Sequence, residues 1–229
     1  TECDGWLLTG SRFGAYEDHA FIPPLEDFIR AAHAAAVPMV GICFGHQIIA
    51  QALGGTVIKH PDGWAIGQQD YDFDGDKITL NAWHQDQVVT LPQGAEVAAT
   101  NEFCENAALV YGDRAFTVQA HPEFADEFVD GLIEHRAKGK VPPELLDQAR
   151  ARMGGTDEEI LAWAHAAGTA RPDEDCAVWN AFMAKLGWRD EASERVRIRA
   201  TEYGLAGCGA ETMFDLIEAD EGRPLGRFC

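Results

Sequence analysis

An α/β fold, a mixed sheet flanked by helices, is predicted by three observations. Short apolar runs of strand type are interspersed with helical patterns. One apolar run ends in a glycine-bounded turn that starts a helix. No internal repeat or low-complexity stretch interrupts the pattern. In order, Gly5–Leu8 reads as a strand, and Pro23-Pro24 opens a helix over Leu25–Ala36, because proline suits the first helical turn. Val37–Ile42 reads as the central strand and Phe44–Leu53 as a helix stopped by Gly54-Gly55. Thr56–Lys59, Lys77–Ala82, Glu96–Thr100, Ala108–Tyr111 and Ala115–Ala120 are β-type runs. Phe128, Val129, Leu132 and Ile133 mark an amphipathic helix, and Thr156 with Glu159 forms a capping box for a helix ending near Gly168. Asp173–Trp188 reads as a last helix, packed through Trp179, Phe182, Met183 and Leu186. Two divisions follow: a domain over 1–188 and an extension over 189–229, in which Glu194–Arg199 alternates like an edge strand.

The candidate chemistry starts at Gly41-Ile42-Cys43-Phe44-Gly45-His46-Gln47, directly after Val37-Pro38-Met39-Val40. A buried strand turning sharply into a helix with cysteine at the apex is a nucleophile elbow, with sulfur in place of a serine oxygen. The flanking glycines allow close backbone approach and unusual dihedrals around the apex. The free N–H groups and positive dipole end of a new helix are a setting that favours thiolate over thiol. A lone cysteine after an apolar strand is more often a small core residue, but the paired glycines and polar helix start argue for reactivity.

Phe116-Thr117-Val118-Gln119-Ala120-His121-Pro122-Glu123-Phe124 delivers the matching base. Again an apolar strand presents a polar group at its C-terminal end, the edge where open α/β sheets build their sites. His121 is positioned to take the thiol proton and later protonate a leaving amine. Glu123 is spaced to accept from the other imidazole nitrogen and fix its orientation, with Pro122 stiffening the link.

Together, the elbow and His121-Pro122-Glu123 resemble the class I (triad) glutamine amidotransferase domain. Asp4-Gly5-Trp6-Leu7-Leu8-Thr9-Gly10-Ser11 is similar to its strand and glycine loop, and Trp83-His84-Gln85-Asp86-Gln87-Val88 to its histidine segment beside the substrate. Asn101-Glu102-Phe103-Cys104 and Ala107-Ala108-Leu109-Val110-Tyr111 resemble the free-standing members related to the glutaminase domain of GMP synthase; plant γ-glutamyl peptidases share the pattern. The resemblance is good from Thr1 to about Ala125 and weakens afterwards. It implies a flavodoxin-like, largely parallel sheet. It also implies that Cys43 attacks the glutamine side-chain amide, forming a γ-glutamyl thioester and releasing ammonia. In that scheme the backbone N–H groups of Phe44 and the Gly10 loop hold the oxyanion, and Gln47 and His84 line the substrate pocket. The family has an earlier β-α-β portion with its first strand, whereas this sequence starts at Thr1 just before a strand. The resemblance therefore implies an N-terminally truncated domain with a sheet edge exposed.

The remaining residues narrow the function classes. A net charge of −20 weighs against nucleic acid and anionic membranes, since phosphate contacts need clustered Lys and Arg. No apolar stretch is long enough to span a bilayer and no signal peptide is visible. Six cysteines without paired or zinc-type spacing point to a reducing cytoplasm, no metal and no cofactor; Cys3, Cys104, Cys176, Cys208 and Cys229 read as incidental. Gly207-Cys208-Gly209 lacks the strand–helix context of a second elbow. His84 could pair with Cys43, but only His121 brings its own carboxylate. No Walker loop is present, so ATP chemistry would belong to a partner. The expected activity is glutamine hydrolysis feeding a separate ammonia-accepting synthase. The alternatives are hydrolysis of γ-glutamyl peptides or conjugates, an inactive regulatory domain that kept the elbow, and the related ThiJ/PfpI-like class, against which the His-Pro-Glu run argues.

Overall fold

The structure is a computed structural model that describes residues 5–158 and 160–162. In chain order its elements are β1 (Trp6–Leu8), α1 (Ile22–Ala34), β2 (Met39–Ile42), α2 (Phe44–Ala52), β3 (Thr56–Lys59), β4 (Ala65–Phe73), β5 (Asp76–His84), β6 (Asp86–Thr90), β7 (Glu96–Ala99), β8 (Ala108–Val110), β9 (Ala115–Val118), α3 (Asp126–Arg136) and α4 (Pro143–Ala151). Five strands form the main sheet in the order β1-β2-β9-β8-β7. Its β1–β2 and β2–β9 pairs are parallel, and its β9–β8 and β8–β7 pairs antiparallel. The sheet is mixed, as the strand pattern predicts. Among the described residues its middle strand is β9, with β2 beside it.

Alternation along the strands sorts the core into layers. Met39 and Ala115 join Ile29, Ile48 and Ile49 of α1 and α2 in one apolar cluster. Their neighbours Val40, Phe116 and Val118 join Tyr71, Ile78 and Leu80 of β4 and β5 in another. One face of the sheet is thus covered by helices and the other by the antiparallel β4–β5 hairpin. That hairpin carries α3 and α4 through a third cluster containing Ile66, Val129, Leu132, Ile133 and Ala149.

Three elements go beyond the sequence expectation: β4, β6 and α4. β4 contains Gly67, Gln68, Gln69 and Asp70, a run poor in β-formers, and it holds as a strand because β5 pairs with it along its whole length. A signal for it does exist. Asp74 and Gly75 close the hairpin with φ of 53° and 97°, the positive values a two-residue Asp-Gly turn requires. Gly67 is also forced, because a Cβ there would lie 2.9 Å from the Ala149 Cβ of α4. Glu159 of the expected capping box, Cys3, Cys176, Cys208, Cys229, the Asp173–Trp188 helix, the Glu194–Arg199 strand and the boundary at 188/189 all lie outside the described residues.

Candidate active site

β2 and β9 end side by side, and the polar groups at their C-terminal ends meet. Cys43 sits between β2 and α2 with φ 52° and ψ −103°, a conformation costly for any residue with a Cβ. Its own N–H is tied to Val118 O of β9 at 2.9 Å, and its carbonyl accepts from Gln47 N at 3.0 Å, so the apex is held from both sides. The flanking glycines serve close approach, and the unusual dihedral at the apex falls on Cys43 itself. A Cβ on Gly41 would come within 2.7 Å of the Gly45 carbonyl, and a Cβ on Gly45 within 2.0 Å of Leu8 O. The absence of side chains at these positions lets α2 start directly beneath β1.

His121 follows β9 and is buried at 5% exposure, with its main-chain N–H donated to Asn81 O at 2.8 Å. Its Nδ1 lies 2.8 Å from Glu123 Oε1, and the Cys43 side chain lies near enough to act electrostatically on the ring. Phe124 stacks flat on the imidazole, centroids 3.9 Å apart and planes at 7°. Burial works against a charge on this ring, but Glu123 and Cys43 overcome it and raise its pKa to about 10. A Cβ on Gly10 would lie 3.0 Å from His121 Cε1 and 3.8 Å from Cys43 Cβ, so the loop after β1 lies against both groups. Phe44 is the first residue of α2, so its N–H has no intrahelical acceptor.

Gln47 and His84 converge on the start of β6. The Gln47 amide donates to Asp86 O at 2.9 Å and to Gln119 Oε1 at 3.2 Å, so its nitrogen is engaged within the protein. His84 Nδ1 lies 3.3 Å from the same Asp86 carbonyl, and His84 Nε2 is buried without a hydrogen-bond partner. Sequence reasoning gave Tyr16 no role and noted Asp86 only as the carboxylate following His84. The Tyr16 hydroxyl donates to Asp86 Oδ1 at 3.0 Å, fastening the loop after Gly10 to β6. Their separation along the chain offered no signal. Phe124, by contrast, adjoins the His-Pro-Glu run and could have been read as its platform. Cys104 is the other described free cysteine, and burial pushes its thiol up to about 12, which makes it inert at neutral pH. Among the described residues no cluster of potential metal ligands exists and no helix is long and apolar enough to cross a membrane.

The buried histidines pull stability in opposite directions with pH. Burial holds His46 and His84 neutral down to about 3, so each takes up a proton on unfolding below its ordinary value of 6.5. Their folded pKa values are depressed, so stability falls as pH drops from 6.5 toward 3. His121 is raised, so its contribution is complete below 6.5 and is lost as pH climbs toward 10. Between pH 6 and 4.5, His46 and His84 should together cost about 2.7 kcal/mol per pH unit. His46→Asn, which can still reach Thr117 Oγ1, should halve that slope in urea unfolding; an unchanged slope would contradict a neutral His46.

A family model described as glutamine amidotransferase class-I matches residues 2–130, more than half of the chain. This chain belongs to the class I glutamine amidotransferase family. A second model, for a domain of unknown function (DUF5069), matches residues 141–223 and runs through the expected boundary at 188/189. A glutamine amidotransferase-like protein of Schizosaccharomyces pombe is 34% identical over 138 residues, covering 56% of this chain and 56% of its own length. The chain therefore spans little more than half of that relative. Gamma-glutamyl peptidase 3 of Arabidopsis thaliana is 27% identical over 176 residues, covering 70% of this chain and 71% of its own. A solved glutamine amidotransferase from Methylobacillus flagellatus superposes with a TM-score of 0.56 at 26% identity, over 87% of this chain and 76% of that one.

Proposed function

We propose that the chain hydrolyses a γ-glutamyl amide through a thioester on Cys43, with glutamine as substrate and ammonia as the leaving group. The observation that carries this reading is the contact between an apex cysteine at positive φ and a buried His121 already braced by Glu123. Cys43 sulfur attacks the amide carbon, and the N–H groups of Phe44 and the Gly10 loop hold the oxyanion. Donors of this kind are worth about 2.7–4 kcal/mol each. As the C–N bond breaks, His121 gives its proton to the departing nitrogen and ammonia leaves. Water then adds to the thioester carbon, losing its proton to His121. The C–S bond breaks, releasing glutamate and restoring Cys43 with the proton on His121. Glu123 keeps the ring oriented throughout and stabilises its charged form. The ammonia would pass to a separate synthase.

A second reading keeps the same chemistry but takes γ-glutamyl peptides, with an amine as the leaving group. It is favoured by the match to gamma-glutamyl peptidase 3 over 71% of that protein. Both readings are tested by measuring glutamate release from glutamine and from a γ-glutamyl dipeptide. Faster turnover of glutamine supports the amidotransferase reading, and faster turnover of the dipeptide the peptidase one. No turnover of either by the folded protein would overturn both.

A further inference from the structure

We propose that Asp126 is a positioning residue for the His121 arm, and that residues 154–156 complete the clamp through which it acts. Its kinetic test rests on the hydrolytic reading above; its structural test does not. Asp126 opens α3, three residues past Glu123. Donors from three separate stretches of chain converge on its carboxylate. Gln68 of β4 donates at 2.8 and 3.0 Å, Asn81 of β5 at 3.0 Å, Thr156 Oγ1 at 2.7 Å and Gly154 N at 2.6 Å. Gly155 N closes the ring by donating to Gln68 Oε1 at 3.1 Å. Gln68 and Asn81 are buried, so their amides need these partners.

Asn81 carries the clamp into the site. Its amide donates to Phe124 O at 2.9 Å, and its main-chain carbonyl accepts from His121 N at 2.8 Å. It therefore holds both the backbone of His121 and the aromatic ring stacked under the imidazole. A carboxylate in a first helical turn needs no more than the helix N–H groups around it. Five contacts from outside the helix mark a second task. Burial opposes the Asp126 charge, but the Gln68, Gly154, Asn81 and Thr156 donors hold its carboxyl below the usual range. Residues 154–156 lie in the stretch matched by the second family model, whereas Gln68, Asn81 and Asp126 lie in the first. Asp157 N donates to Thr79 O of β5 at 2.9 Å, fixing the same segment along the hairpin. The clamp thus couples the second matched region to the arm of the first.

The test compares the full-length chain with Asp126→Asn, Thr156→Val and a control, Asp130→Asn, which removes the α3–α4 ion pair with Arg150 without touching the clamp. Two quantities are read: kcat and KM on whichever γ-glutamyl substrate turns over, and the NMR titration midpoint of His121, whose ring faces Glu123, Cys43 and His84. A loosened arm should lower kcat about tenfold in Thr156→Val and about 100-fold in Asp126→Asn, with KM within about twofold. The His121 midpoint should fall by about half a unit or more as Glu123 loses its fixed geometry. Asp130→Asn should change neither. If Asp126→Asn fails to fold, Thr156→Val decides, because it leaves the carboxylate and its other donors in place. Wild-type kcat and an unmoved His121 midpoint in folded Thr156→Val would overturn the clamp. If the wild type turns over no substrate, the hydrolytic reading falls; the His121 midpoint then still decides, a downward shift supporting the clamp and no shift overturning it.

Discussion

Replacing Cys43 by serine is expected to lower kcat on a γ-glutamyl substrate by about 10³-fold or more, while the fold survives with a melting temperature within a few degrees of wild type. The loss is large because the proposed reaction runs through a C–S bond to this sulfur, formed in its first step and broken in its last. The fold survives because the apex is held by main-chain bonds to Val118 and Gln47 that a serine keeps. Mass spectrometry after mixing with substrate would follow the acyl adduct, which should vanish in the variant. Turnover within about tenfold of wild type would remove Cys43 from the nucleophile role. A companion pair isolates the backbone strain. Cys43→Ala and Cys43→Gly both delete the sulfur, but only glycine relieves φ 52°, a conformation that costs roughly 1–3 kcal/mol with a Cβ. Cys43→Gly should therefore unfold at higher denaturant than Cys43→Ala; the reverse order would argue against strain at the apex.

Gly45→Ala is expected to be the most damaging glycine-to-alanine change among the described residues. Its Cβ would sit 2.0 Å from Leu8 O and 2.7 Å from Leu8 C, which is strand backbone and cannot swing aside like a side chain. Relief requires α2 and β1 to separate, at a cost of about 3 kcal/mol or more. The same movement would draw the loop after β1, with Gly10, away from Cys43 and His121, so activity should fall with stability. Gly131→Ala in α3 is the contrast. Nothing lies within 4 Å of a Cβ there, and alanine should gain about 0.5–1 kcal/mol of helix stability. Urea unfolding of the two variants should move in opposite directions. Equal midpoints would mean that the α2–β1 approach is looser than the backbone geometry indicates.

The separate signals at Cys43 and His121 were legible because each is local. An apolar run ending in a glycine-bounded cysteine, and another ending in His-Pro-Glu, announce themselves within ten residues of chain. Some element bounds were read for the same reason: Thr56–Lys59 agrees residue for residue and α2 starts at Phe44, whereas α1 starts at Ile22, not Leu25, and takes Pro23-Pro24 into its first turn. β4 was missed because its glutamines and aspartate obscure the β signal, and its strand state is conferred by β5. α4 was missed because much of its surface is polar and Ala149, its buried anchor, carries little hydrophobic signal.

By itself, the sequence determined the family, and it singled out a candidate nucleophile and a candidate base with its orienting carboxylate. These depend on residue type and short spacing, which the chain carries in any conformation. Only the tertiary structure decided what surrounds them. Residues far apart in the chain leave no mutual trace in the sequence, so the Tyr16–Asp86 fastening, the capture of Gln47 by Asp86 and Gln119, and the gathering of Gln68, Asn81, Gly154 and Thr156 around Asp126 became visible only once the backbone had brought them together. The raised pKa of His121 is likewise a tertiary property. Burial alone would lower it, and Glu123 and Cys43, which the fold brings beside the imidazole, raise it instead.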